Sequence, residues 1–446
     1  MTSRITKLLT LTVLATLLLP ACADRTGQTL APSRLVHVAG RQFVDPSGHP
    51  ILLHGINVCN KSKAEGYTGG LGPREFSTIR SWGMNCVRLG IFWDGLEPKP
   101  GKFDAAYLDR VAQLVQWAKK AGLWVMLDMH QDLYSVKFSD GAPPWATLDN
   151  GNPHTPTPVW SDAYYASTAV QSALDHFWSN SPASDGVGLQ DHYANAWQRV
   201  AARFANEPAV LGYDLMNEPF PGEDALHARD AIIGRMAELA SATGGASNSP
   251  SETPKPGTPE AKKLMIQRLA DMRVFEGMLE AGAPIFQEFE RGRLMPMYQR
   301  VANAIRTVDR HHILFIEPAM SSNIGIPSAL GPVTDAHGAR DPHQAYAPHG
   351  YDLVTDTDNI ELTSNKRVEL IFRRHGEKSR SLNMPMLVGE WGAFYEDSRA
   401  VGPAKFAVSQ FDQLGCGDTY WSYGTGLEKS PLLPALQRNI RLPESR

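Results

Sequence analysis

From Val36 onward, short uninterrupted apolar runs alternate with longer segments whose apolar side chains recur every three or four residues. The clearest runs are Ile51–Ile56, Asn85–Leu89, Leu123–Asp128, Val210–Leu215 and Ile313–Ile316. A weaker one follows at Ala345–His349, then Met386–Gly389 and Asp418–Trp421. Continuous rather than alternating runs suit parallel strands covered on both faces. Between them, Tyr107–Ala121 places Leu108, Val111, Leu114, Val115 and Ala118 on one helical face and stops before Gly122. Tyr193–Phe204, Tyr298–Val308 and Val368–His375 repeat that pattern. Eight strand–helix units of this kind predict an α/β protein, a (β/α)8 TIM barrel over residues 35–446. A doubly wound sheet is the alternative, but no glycine-rich phosphate turn follows the first strand.

One region breaks the rhythm. A long insertion of about residues 220–295 separates the fourth strand from the helix before Ile313. Helical patterns at Leu226–Leu239 and Ala261–Leu279 flank a stretch, Ser241–Pro259, rich in Ser, Gly, Pro and Thr. That composition cannot bury a core, so the stretch is expected to be disordered. Leaving from a strand's C-terminal end, the insertion should overhang the barrel mouth, as a lid or lipid-contacting wall or as a surface elaboration. The chain ends about 25 residues beyond Trp421, with room for a last helix at Pro431–Asn439 and no further domain.

The N-terminus argues for export. Arg4 and Lys7 precede an apolar stretch from Leu8 to Leu19, and Leu19-Pro20-Ala21-Cys22 follows. About a dozen apolar residues are too few to span a bilayer but suit a secretory signal peptide. Leu-x-Ala-Cys at this place resembles a bacterial lipobox. The resemblance implies a signal peptide at 1–21, lipidation of Cys22 and a tether over 22–34. The expectation is an exported, membrane-anchored lipoprotein, periplasmic or at the cell surface. A secreted soluble protein is the alternative.

The formal net charge of −4 comes without a cluster of Lys and Arg, which sets nucleic-acid binding aside. Beyond Cys22, the thiols of Cys59, Cys86 and Cys416 are odd in number and match no zinc spacing. Buried free thiols are expected, with one disulfide as the alternative.

In such a barrel, chemistry gathers at the C-terminal strand ends. Those ends carry Arg88, then His130 and Asp132, then Asn217-Glu218, then His349 and Tyr351, then Glu390, and finally Trp421. Glu218 and Glu390, from the fourth and seventh strands, would face each other across the mouth. A retaining glycosidase needs two carboxyls about 5 Å apart, one protonated and one ionised. A strand-end Glu can also simply pair with a nearby Arg, but that leaves the rest of the set unexplained.

Leu215-Met216-Asn217-Glu218-Pro219 and Val388-Gly389-Glu390-Trp391-Gly392 resemble the two catalytic signatures of glycoside hydrolase family 5, and the resemblance spans Leu52 to about Tyr423. It implies Glu218 as acid/base and Glu390 as nucleophile, the latter oriented by Arg88 and Tyr351. Asn217 would bind the sugar 2-hydroxyl and Trp421 would supply an aromatic platform. His130 and His349 fall at two further active-site positions of the family. No metal or organic cofactor is required for this chemistry.

Narrower matches are Asn57-Val58-Cys59-Asn60-Lys61, Leu127 to Ser135 and Gly188 to Tyr193. They resemble the endoglycoceramidase-related branch, whose members release an intact glycan from the ceramide of a glycosphingolipid. By that similarity Lys61 and Asp132 would bind the glucose unit beside the scissile bond. The branch also carries a C-terminal β-sandwich in several members, for which no counterpart is expected here. A β-glucan endohydrolase and a steryl or other lipid β-glucosidase are the alternatives, and an inactive glycan-binding lipoprotein a remote one. A glucan enzyme would show an open cleft with several aromatic platforms, for which Trp93, Trp145, Trp160 and Trp178 are the candidates.

Overall fold

A computed structural model describes residues 34–242, 258–335, 337–438 and 440. The expected signal peptide, Cys22, most of the tether and nearly all of Ser241–Pro259 lie outside the described residues. Among the described residues, no helix is long and apolar enough to cross a membrane.

Eight parallel strands form the barrel: β1 (His54–Val58), β2 (Cys86–Ile91), β3 (Trp124–Met129), β4 (Val210–Asp214), β5 (Ile313–Ile316), β6 (Gln344–Tyr346), β7 (Leu387–Val388) and β8 (Gly417–Tyr420). They are hydrogen-bonded in the order β7-β8-β1-β2-β3-β4-β5-β6. A parallel bridge from Tyr346 to Met386 joins β6 to β7. Above it, His349–Gly350 pairs in parallel with Glu390–Trp391, so the seam closes at the mouth.

Two expected runs are split. In Ile51–Ile56, Pro50–Ile51 joins an antiparallel sheet with His37–Ala39 and Gln42–Val44, and only the end enters β1. The side chain of Asn85 bridges the break, donating to Leu52 O at 2.8 Å and accepting from His54 N at 2.9 Å. The sixth run breaks at Pro348, which has no N–H for a ladder.

Inside the barrel, Leu53, Cys86, Met126, Leu211, Ile313, Phe315 and Leu387 pack together, and Val36 and Phe43 of the N-terminal segment join them. A larger apolar layer lies between strands and helices. Helix Ala105–Lys120 shows its logic. Asp104 caps it by accepting from Tyr107 N at 3.0 Å, and Tyr107, Val111, Leu114, Val115 and Ala118 face inward. Cys59, Cys86 and Cys416 are free thiols.

The insertion after β4 is helical where described: Asp224–Ala242, Pro259–Arg268 and Met272–Phe289, continuing through Glu290–Leu294 into Met295–Arg306. The single helix expected at Ala261–Leu279 is two. Thr258 and Asp271 each cap a helix start, accepting from Ala261 N and Arg273 N, so the chain turns between them at Leu269 to Asp271. The last helix expected at Pro431–Asn439 is only Leu433–Leu436. Gln437 is extended, and Arg438 runs inward to pair with the buried Asp418.

Candidate active site

At the mouth, Glu218 and Glu390 each offer an oxygen within 4.8 Å of the other. That separation suits a retaining pair and is too short for the intervening water of an inverting one. Both carboxyls are nearly buried, and one imidazole lies against both. His349 Nδ1 donates to Glu218 Oε1 at 2.9 Å and stands 3.5 Å from Glu390 Oε2. Gly389 makes room for that ring, because a Cβ there would lie 2.9 Å from His349 Nε2.

The two carboxyls are held differently. Glu390 is engaged at both oxygens: Arg88 Nη1 donates to Oε1 at 2.6 Å, and Tyr351 Oη donates to Oε2 at 2.9 Å. Glu218 receives both its side-chain bonds, from His349 and from Asn323 Nδ2 at 2.7 Å, on Oε1 alone. Burial pushes the Glu390 carboxyl up to about 7, against the pull of His349 and Arg88, and the charges of Glu218 and Glu317 add to the rise. Burial also opposes charge on His349, but Glu317 and Glu390 outweigh it and hold its pKa well above the usual range.

Arg88 is fully buried and acts as the hub. Nε donates to Asp214 at 2.8 Å, and Nη2 donates to Glu317 at 2.8 Å and to Asn217 Oδ1 at 2.9 Å. Asp128 lies 3.0 Å from Nη2. Burial would raise Glu317, yet His349 and Arg88 bring it down to about 2. The sets Asp128, Asp214, Glu317 and His130, Asp132, Asp140 each have the spacing of a metal site. Each already surrounds a protein cation. Arg88 serves the first, and Lys61 pairs with Asp132 and stands 3.8 Å from Asp140 in the second.

The cavity above the pair has a volume of about 500 Å³. Eight of the ten residues expected to bind or react line it: Lys61, His130, Asp132, Asn217, Glu218, Tyr351, Glu390 and Trp421. Arg88 and His349, the other two, are not among the lining residues and contact the carboxyls from behind. Within the lining, Trp421 stacks on His130 at 5.3 Å between centroids with 12° between planes, and Lys61 Nζ lies 4.9 Å from the Trp421 ring centre. Burial, with Lys61 adding, keeps His130 neutral. Its Nδ1 bonds Asp128 at 2.7 Å, while its buried Nε2 has no hydrogen-bond partner among the described residues. A sugar hydroxyl can satisfy that atom.

The lining also includes a group of apolar side chains: Phe220, Met265, Leu269, Met278, Met320 and Ile324. Met265, Leu269 and Met278 belong to the insertion. Of the four tryptophans considered as sugar platforms, Trp160 lines the cavity. Trp93 and Trp178 are core residues, and Trp145 packs edge-on against Trp93 at 5.5 Å.

Sequence reasoning passed over Glu317, Asn323, Asp128 and Asp214. Glu317 directly follows β5, so the strand-end rule points to it. Asp128 and Asp214 are charges inside apolar strands, itself a signal. Asn323 lies in a short turn, Met320–Ile324, that nothing in the sequence marks.

These buried charges set a pH dependence. The carboxyls whose pKa rises on folding, Glu390 and Asp128 (the latter lifted by burial to about 7, Arg88 opposing), favour the fold at low pH and lose that contribution between their unfolded values of about 4 and about 7. His349, held well above its usual range, loses its contribution at higher pH. Glu317, depressed to about 2, contributes above its unfolded value near 4.5 and loses that contribution only in strong acid. From these groups the melting temperature should therefore peak at about pH 4–5 and fall toward about pH 8.5. Calorimetry across this range checks it, and a maximum above pH 8 would refute it.

The model of the Cellulase (glycosyl hydrolase family 5) family matches residues 44–249 and 269–426. Endoglycoceramidase I of Rhodococcus hoagii is 34% identical over 420 residues, covering 92% of this chain and 72% of that one. The endoglycoceramidase of Cyanea nozakii is 28% identical over 306 residues, and there the chain spans only about half of the relative, 49%. Among solved structures, endo-glycoceramidase II from Rhodococcus sp. superposes as its ganglioside GM3 complex with TM-score 0.67 at 28% identity, covering 89% of this chain and 81% of that one. Its lactosyl-enzyme intermediate superposes with TM-score 0.65 at 28% identity, covering 88% and 80%. With both catalytic signatures at the mouth of the barrel and within the matched residues, the chain belongs to glycoside hydrolase family 5.

Proposed function

We propose that this protein is a retaining β-glycosidase that cleaves the bond between a glycan and the lipid of a glycolipid, releasing intact sugar and ceramide. The observation that carries the reading is the mixed lining of the cavity. Candidate sugar-binding groups and both carboxyls line it together with a group of apolar side chains, half of them supplied by the insertion. A glucan chain has no apolar aglycone to place there. The relatives that bear the endoglycoceramidase name support the same substrate class.

In the first half-reaction Glu390 attacks the anomeric carbon as the glycosidic bond breaks. Glu218 delivers a proton from Oε2, the oxygen left free by His349 and Asn323, to the departing lipid oxygen. Arg88 and Tyr351, donating to both oxygens of Glu390, favour the ionised nucleophile. In the second half-reaction Glu218 takes a proton from water, which attacks the same carbon and releases Glu390. Asn217 uses one amide hydrogen on Gln131 O at 3.0 Å, and the other is available to the sugar 2-hydroxyl. Lys61 and Asp132 bind the adjoining sugar hydroxyls, and Trp421 stacks beneath the ring. Export, and anchoring through Cys22, complete the proposal. Metabolic labelling with palmitate that Cys22→Ala fails to remove would overturn the anchor.

The deciding test offers a fluorescent-ceramide ganglioside and carboxymethyl-cellulose side by side. Release of the whole oligosaccharide and free ceramide supports the proposal, and cleavage of the glucan alone refutes it. The apolar part of the lining has its own test. Met265→Gln should raise KM for the ganglioside about 5- to 20-fold, the loss expected when roughly 1–2 kcal/mol of apolar burial is removed. Hydrolysis of a short aryl lactoside should change less than about twofold; equal effects on both would remove Met265 from the lipid side.

A further inference from the structure

We propose that Glu317 is a positioning residue that sets the backbone and charge environment of the acid/base Glu218, an inference that rests on the reading of Glu218 given above. Glu218 holds a left-handed backbone, φ 44°, which a non-glycine residue adopts only when its surroundings enforce it. Its N–H donates to Glu317 Oε2 at 2.9 Å. The other oxygen of Glu317 lies 3.1 Å from His349 Nε2, and Nδ1 of the same ring donates to Glu218 Oε1. Glu317 therefore grips Glu218 twice, directly at the main chain and through the imidazolium at the carboxyl.

The nucleophile side depends on it less. Arg88 meets Glu317 through Nη2, but it is also fixed by Asp214, Asn217, Asn57 and Asp128. Among the described residues, the one carboxylate paired with His349 Nε2 is Glu317. Glu317→Gln keeps the shape and removes the charge. Two donors hydrogen-bond the carboxylate oxygens, Glu218 N–H at Oε2 and Arg88 Nη2 at Oε1, and the His349 ring stands beside Oε1 as an ion pair. A carboxamide has one acceptor oxygen, so in either orientation its NH2 meets a donor.

The experiment compares kcat/KM for a ganglioside with that for a 2,4-dinitrophenyl β-lactoside, whose leaving group needs no protonation. For Glu317→Gln a loss of about 100-fold is expected on the ganglioside, the scale of removing one preorganised polar contact, and under about 10-fold on the activated lactoside. Equal losses on both substrates, or no loss on either, would overturn the proposal. Glu317→Asp keeps the charge for Arg88 and His349 and withdraws the carboxylate by one methylene. It should recover part of the ganglioside activity, and it carries the same comparison where the Gln variant does not fold. Glu218→Gln is run in parallel. If that variant fails to discriminate between the two leaving groups, the acid/base reading itself falls, whereas discrimination by Glu218→Gln alone refutes only the role of Glu317.

Discussion

Glu390→Gln should reduce glycolipid turnover by at least about 10⁴-fold while leaving the melting temperature within a few degrees of the parent. The amide keeps the shape of the carboxyl and can still accept from Arg88 or Tyr351, so the barrel has no reason to open. What disappears is the oxygen nucleophile. The same argument fixes the stereochemistry of rescue. In Glu390→Gly, azide can enter only from the face the carboxylate occupied, and it should return activity with an α-glycosyl azide as product. In Glu218→Gly, azide attacks the glycosyl-enzyme from the opposite face and should give the β-product. Mass spectrometry of the parent enzyme treated with a 2-fluoro glycoside should find the adduct on Glu390. An adduct on Glu218, or equal activity in Glu390→Gln, would reverse or remove the assignment. These outcomes depend on the approach of the pair to within 4.8 Å, too close for the water of an inverting mechanism.

Arg88→Met should be the most destabilising of the substitutions considered, costing about 3–5 kcal/mol or more. The guanidinium is fully buried and within 3.0 Å of oxygens from Asp128, Asp214, Glu317 and Glu390. Without it these carboxylates face one another in a water-poor interior, with His349 as the remaining cation. They will take up protons instead of staying ionised. The deficit should therefore shrink as pH falls toward 4 and widen toward pH 8, because the variant gains its protons only on folding. Denaturant titrations of both proteins at pH 4.5 and pH 8 measure this directly. A deficit that is the same at both values would mean that Arg88 contributes packing and not charge compensation. Arg88→Lys restores one charge but not the fork that reaches several carboxylates, so it should recover only part of the loss.

Much of the fold and the centre of the site were legible in the sequence because they depend on local signals. Continuous apolar runs separated by amphipathic helices have few solutions other than a parallel barrel, and that architecture brings strand ends together whatever their distance along the chain. Glu218 and Glu390 stand at the ends of β4 and β7 and meet for that reason. The errors fell where a single side chain decides the backbone. Asn85 cuts the first run into two strands, Asp271 starts a second helix inside an apparently continuous one, and Arg438 stops the last helix after one turn by reaching for Asp418.

Only the tertiary structure decided how the charges are shared and what the mouth is made of. Arg88, expected to orient Glu390, and His349, expected in the active site, stand behind the carboxyls, where their charges balance five acidic side chains. Which of Asp128, Asp214 and Glu317 serves them depends on strand stagger, which no local pattern records. The tryptophans show the same limit. Trp93, Trp145 and Trp178 share the composition of a sugar platform but pack in the interior or against its aromatic cluster, while Met265 and Met278, ordinary helix residues, face the cavity. An aromatic or apolar side chain has the same propensity on either side of a helix. Which side lines the cavity is settled by how the insertion packs at the mouth, and that is a matter of packing between elements far apart in the chain.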